Sequence, residues 1–203
     1  MHLRPGQWEY PTTRTQLSNF VQYRHLATLD ELINQHPALA AALGNDYVVK
    51  PDIVVARKSV PLQEVNRHFE FVEEYGAHAN LTPLLESNRT SPAPFLHASV
   101  SCKWTIRSDR SQNTRTEALN LIRNRKGSSP HIVAVTAEPL PTRIASLALG
   151  TGDLDCVYHI ALPELREVCE SSEGAQDQAE MLSMMIAGYR LRDISDLPFD
   201  LAA

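Results

Sequence analysis

Positive charge is what this sequence has too little of to coat nucleic acid indiscriminately. Its 19 Lys and Arg stand against 24 Asp and Glu, for a net charge of −5. That balance excludes a nonspecific polyanion binder but not a specific DNA enzyme, because a local basic cluster sets the field inside a cleft. Cysteine is also sparse. Cys102, Cys156 and Cys169 are odd in number and lack paired metal-ligand spacing, which excludes a disulfide framework and fits reduced thiols in a cytosolic protein. No apolar run is long enough to span a bilayer, and the opening MHLRPGQWEY lacks the apolar core of a secretion signal. A cytoplasmic protein with no membrane partner is expected. Internal repeats and low-complexity linkers are missing too. With 203 residues, 43% of them hydrophobic, one folded domain over 1–203 is expected.

What is present concentrates between Leu96 and Arg125. From Ser99 to Ile106 the residues alternate, predicting a strand with Ser99, Ser101, Lys103 and Thr105 on a polar face. Val100, Cys102, Trp104 and Ile106 form the opposite, apolar face. On this reading Cys102 is a packing residue rather than a nucleophile. Arg107, Ser108, Asp109 and Arg110 follow as a charged turn. A helix comes next, with Ala118, Leu119, Leu121 and Ile122 as its apolar stripe and Glu117 in its second turn. Arg107, Arg110, Arg115, Arg123, Arg125 and Lys126 make the segment locally basic. Taken alone, such a run is more often a solvated helix face.

Elsewhere the sequence predicts an irregular stretch over 1–14, helices from Thr15 to His25 and from Thr28 (with Glu31 completing a capping box), and a short helix over Pro37–Leu43. Ile53–Ala56, His131–Thr136 and Cys156–Ile160 read as buried strands. Further helices are expected from Pro61 to Tyr75, Thr142 to Leu149, Leu162 to Glu170 and Ala175 to Tyr189, with residues 77–94 mostly loop and an extended, docked tail. Strands separated by helices predict an α/β sandwich: a central mixed β-sheet flanked by helices.

Asp52 follows Pro51 at the mouth of a strand, Lys103 lies on a strand's polar face, and Glu117 sits on the helix returning from that strand. Two carboxylates and a lysine around one point suit Mg²⁺ held by oxygen ligands, with the lysine orienting water and offsetting charge on a phosphate. That is a layout for phosphodiester hydrolysis. Taken singly, each residue has a plainer reading: Asp52 as a turn cap, Lys103 snorkelling, Glu117 paired with an arginine. Asp153, Asp155 and His159 fit a turn and a strand as well as a second metal site.

The stretch SCKWTIRSDRSQNTRTEALNLIRNR, with PDIVV before it and HIVAVTAEPLPTRIASLALGTGDLDCVYH after it, resembles the CCGG-cutting branch of the PD-(D/E)xK type II restriction endonucleases. The resemblance covers most of the chain, from about Tyr23 to the tail. It implies a restriction-endonuclease-like fold and Mg²⁺-dependent cleavage of double-stranded DNA at a CCGG-centred site, GCCGGC. It also implies a homo-oligomer, dimer or tetramer, within a restriction–modification system. Asp52 matches the first metal-binding acid and Lys103 the catalytic lysine. Ser101 stands where many relatives carry an acid, and that role passes to the helix acid, here Glu117. Arg107, Asp109 and Arg110 match base readers. Arginine can donate twice to guanine and aspartate can accept from cytosine N4, which suits a site of G and C alone. Arg143 matches a contact to the outer G·C pair, and its place at a helix start also suits phosphate.

One departure concerns the N-terminus. The resembling enzymes draw a further active-site acid from a longer N-terminal region. Met1 stands too close to Asp52 for that segment, and neither Glu9 nor Glu31 has a matching context. The expectation is slow cleavage or none, with a raised Mg²⁺ requirement. Two alternatives stay open on sequence alone: a DNA-binding relative that recognises the site without cutting, and a repair-type nuclease with no fixed target.

Overall fold

The computed structural model describes residues 6–11, 15–36, 38, 41, 49–73, 82–86, 93–150 and 152–203. Its centre is a six-stranded sheet in sequence order: β1 Trp8–Glu9, β2 Ile53–Arg57, β3 Phe95–Lys103, β4 His131–Thr136, β5 Cys156–His159 and β6 Leu191–Asp193. The first three strands are antiparallel neighbours, and β3 to β6 run parallel. The helices are α1 His25–Gln35, α2 Leu62–Val65, α3 Ser108–Asn124, α4 Pro141–Ala148, α5 Leu162–Ser171, α6 Gln176–Ala187 and α7 Leu197–Asp200. This is the α/β sandwich expected: a mixed sheet with helices against it.

The main core unites Val54, Ala56, Leu96, Ile132, Ala134 and Val157 of the strands with Leu121, Ile144, Leu147, Leu182 and Met185 of the helices. Paired residues across neighbouring strands share a face. Ser99 pairs with Val54 on one side and Ile132 on the other, so the serine face of β3 lies toward the helices. That corrects the polar-face expectation: Ser99 is buried, and Ser101 Oγ lies 3.4 Å from Thr114 Oγ1 of α3. Small hydroxyl residues let the helix approach while keeping a polar partner. The other face, with Val100, Val133, Cys156 and Tyr158, is covered by Ile194 and Leu197 of the C-terminal segment.

Several boundaries differ from expectation, and side-chain hydrogen bonds explain most of them. No continuous helix covers Thr15–His25; two 3₁₀ turns, Leu17–Asn19 and Val21–Tyr23, flank an extended Phe20. The Val21 N–H donates to Pro94 O at 3.0 Å. The Gln22 amide spans both backbone groups of Leu96, donating to its carbonyl at 2.8 Å and accepting from its N–H at 3.0 Å. Helix α1 begins at His25, so Thr28 and Glu31 lie inside it. Helix α2 stops at Val65 because Asn66 Oδ1 accepts from the Phe71 and Val72 N–H groups, a local alternative to helical bonding. The tail is docked but not extended: Asp193 and Asp196 form a capping box that opens a 3₁₀ turn leading into α7. Strand β1 lies in the stretch expected to be irregular. Most of the helix expected over Pro37–Leu43 and most of the loop over 77–94 lie outside the described residues.

Candidate active site

Topology brings Asp52 and Lys103 together. β2 runs antiparallel to β3 with Ile53 opposite Val100, so the residue that enters β2 lies beside the residues that leave β3. Asp52 Oδ2 accepts from Lys103 Nζ at 2.9 Å and from the Cys102 N–H at 2.9 Å. The pair is only partly exposed, at 22% for the lysine side chain and 33% for the aspartate. Solvent can therefore reach it while screening less than at an open surface.

Glu117 approaches from α3. That helix begins at Ser108, so Glu117 falls in its third turn rather than its second. Thr114, in contact with Ser101, lies one turn earlier on the same face. Burial raises the Glu117 pKa above the usual carboxylate value; Lys103 opposes the shift and Asp52 reinforces it. All three residues thus share one electrostatic neighbourhood. The donor set is two carboxylates at a partly exposed strand end, hard oxygen ligands of the kind Mg²⁺ takes. These residues fit the expected ion.

Cys102 departs from its expected packing role, since it is exposed. β3 ends at Lys103, one residue later. Partial burial and Asp52 raise the thiol pKa, so it is no ready nucleophile. Its contribution is its backbone N–H, which helps fix the Asp52 carboxylate. Trp104 is likewise not on a buried strand face: it is 75% exposed.

The expected charged turn resolves differently. Arg107 is the exposed N-cap residue of α3, and Ser108, Asp109 and Arg110 form that helix's first turn. Arg143 lies in the first turn of α4, 3.7 Å from Glu138. Not every arginine of the basic run faces outward. The Arg115 guanidinium donates to Ser146 O at 2.6 Å, and a Cβ on Gly150 would lie 2.4 Å from it. Arg115 therefore ties α3 to α4. Asp155 and His159 are also structural. Asp155 accepts from the Ile132 N–H at 2.9 Å, and His159 is buried between Glu138 O and the Ala161 N–H. Among the described residues no cluster of three or more His, Cys, Asp or Glu is arranged to hold a metal.

Glu138 escaped the sequence reading. It is fully buried, and its carboxylate accepts from the Ile106 and Leu140 N–H groups at 2.7 and 3.2 Å. Hydropathy gave no signal for it; only its position between a strand end and a Pro-led helix start sets it apart.

The structure is a mixed six-stranded sheet with helices against it, which carries an Asp–Lys pair at the ends of two inner strands with Glu117 electrostatically coupled to both. A family model described as NgoMIV restriction enzyme matches residues 1–203. The type II restriction enzyme NgoMIV of Neisseria gonorrhoeae is 50% identical over 205 residues, covering 99% of this chain and 70% of that protein. The chain belongs to the NgoMIV restriction enzyme family, and is an enzyme of the type II site-specific deoxyribonuclease class. A solved complex of the restriction endonuclease PspGI with substrate DNA shares 18% identity at a TM-score of 0.33, covering 51% of this chain and 38% of that one. Among the described residues no helix is long and apolar enough to cross a membrane.

Proposed function

We propose that this protein is an Mg²⁺-dependent endonuclease that cuts double-stranded DNA at a CCGG-centred site, GCCGGC, acting in the cytoplasm as the cutting half of a restriction–modification pair. The observation that carries the reading is the 2.9 Å contact between Lys103 and Asp52 across β2 and β3, with Glu117 electrostatically coupled to both. Asp52 and Glu117 hold the metal. When bound, Mg²⁺ supplies charge neutralisation at the scissile phosphate and a more acidic water. Lys103 orients the attacking water and offsets charge that builds on the phosphate. Arg107, Asp109 and Arg110 read the inner C·G pairs, and Arg143 reads the outer pair. The enzyme works as a homo-oligomer, dimer or tetramer, whose size sedimentation would give.

Plasmid DNA incubated with the protein and Mg²⁺, followed by mapping of the ends, tests the proposal. Discrete ends within GCCGGC are expected. Scattered ends would indicate a nuclease without a fixed target, and stable binding to GCCGGC with no ends would indicate a DNA-binding relative.

A further inference from the structure

We propose that Glu138 is a positioning residue that holds the two base-reading segments in one fixed relation, so that inner and outer pairs are read together. The inference rests on the assignment of Arg107 and Arg143 as base contacts. One carboxylate oxygen accepts from the N–H of Ile106, the residue before Arg107, at 2.7 Å. The other accepts from Leu140 N–H at 3.2 Å and lies 3.7 Å from the Arg143 guanidinium. A single side chain thus touches the entry to α3 and the entry to α4, the helices that present the two arginines.

Glu138 is itself immobilised. Its N–H donates to Thr136 Oγ1 at 3.1 Å. His159 Nδ1 accepts from Ala161 N–H at 3.1 Å, which leaves the proton on Nε2 to donate to Glu138 O at 3.2 Å. Thr136 and His159 are paired across β4 and β5, and Thr136 pairs with Lys103 across β3 and β4. The clamp therefore hangs from the same row of the sheet as the proposed catalytic lysine.

Burying a carboxylate is unfavourable unless it is paired and hydrogen-bonded. An apolar residue would fill the space with less penalty, but it would leave one buried and one partly buried backbone donor without this acceptor and release Arg143. What a carboxylate adds here is registry between separate segments. Arg143 keeps a 53% exposed side chain while its guanidinium is anchored on one side, a geometry suited to reaching a partner in a defined direction.

The test uses Glu138→Gln, which keeps the shape but offers one oxygen in place of two. Binding is measured by fluorescence anisotropy to duplexes carrying GCCGGC, an altered inner pair, an altered outer pair, and unrelated sequence. The substituted protein is expected to lose at least about tenfold of its discrimination at inner and outer positions together, the scale of one base contact. Its affinity for unrelated DNA should change less than about threefold, since phosphate contacts supply that term. A core variant of α4 matched to it in melting temperature, Ile144→Val or Leu147→Ala, should keep both discriminations. Wild-type-like discrimination by Glu138→Gln, or an equal loss in the matched core variant, overturns the inference. Should Glu138→Gln not fold, Arg107→Ala, Arg143→Ala and their combination decide. Losses deviating from the product of the singles by more than about threefold support a shared tether, and multiplicative losses overturn it. Absence of discrimination by the unsubstituted protein is a different outcome, which removes the base-reading assignment and this inference with it.

Discussion

Two carboxylate–cation contacts lie on opposite faces of the same sheet: Lys103 with Asp52, and Arg192 with Asp200. Lys103 belongs to the row of Thr136 and His159, whereas Tyr158 of the second cluster belongs to the adjacent row and points the other way. Exposure does not separate them, at 22% and 33% for the first pair and 34% and 28% for the second. What differs is the third group beside each pair, a tyrosine hydroxyl at one and a carboxylate at the other. Asp200 accepts from Tyr158 Oη at 2.6 Å and from Arg192, which also lies over the Tyr189 ring at 5.7 Å. The Arg192 pKa is raised, chiefly by its hydrogen bond to Asp200, and burial followed by the Asp200 bond raises that of Tyr158. Each group there settles its neighbours, and the result is a clasp that fastens α7 to the sheet. At the other pair a third charge, Glu117, is held half-buried against an opposing Asp52. That arrangement is left electrostatically unsettled, the condition under which a cation or a phosphate gains most by arriving.

The contrast breaks most sharply under substitution. Lys103→Ala or Asp52→Ala should lower the cleavage rate by at least about 10³-fold while leaving site-specific DNA binding in place. A gel-based cleavage assay beside a binding assay decides, and near-normal cutting by either variant removes both from the proposed centre. Next in size are Arg107→Ala, Asp109→Ala and Arg110→Ala. Each should give up about 1–3 kcal/mol of discrimination between CCGG-containing and scrambled duplexes. A uniform loss on both duplexes would mark the residue as a phosphate contact instead.

On the clasp side the effect should appear in stability alone. Tyr158→Phe leaves a partly buried Asp200 oxygen without its donor, at a cost of about 1–2 kcal/mol, seen as a fall of about 2–6 °C in melting temperature. Cleavage by the folded protein should not change, and a loss of activity at unchanged stability would contradict the division drawn here.

The smallest expected effect lies at Glu117. Because the folded protein raises the Glu117 pKa, this group's stabilising contribution is complete below the ordinary carboxylate pKa. It is lost as pH rises through the raised folded value. At neutral pH in chelator, the ionised Glu117 is therefore a net cost. Glu117→Gln should raise the melting temperature by up to about 3 °C, corresponding to no more than about 1 kcal/mol once solvent access is allowed for. It should also cut DNA poorly. A lower melting temperature at pH 7, measured calorimetrically without metal, would show that the site is not strained in this sense.

How much of this was legible in the sequence varies by residue. The α/β alternation and the strands β2, β4 and β5 followed from apolar runs and breakers. Asp52, Lys103 and Glu117 could be grouped from strand parity and helix return. The antiparallel β2–β3 pairing that makes the contact direct could not, because pairing partners leave no local mark. Val100 and Ile106 are buried as parity predicts, but the serine face is buried too: Ser99 and Ser101 are small enough to lie under α3, and polarity alone cannot report that. Cys102 was misplaced because the chain bends right after Lys103, where Glu138 captures the Ile106 N–H. Gln22 and Asn66 redirected two expected helices in the same way, through bonds to backbone groups of Leu96 and of the Phe71–Val72 turn. A polar side chain's distant partner is invisible to periodicity.

The most direct measurement follows cleavage of plasmid DNA with mapped ends by the unsubstituted protein and by Lys103→Ala, each with Mg²⁺ and with chelator. The account predicts discrete ends within GCCGGC that need both the lysine and the metal. Equal cutting by the two proteins, or ends scattered without regard to sequence, would contradict it.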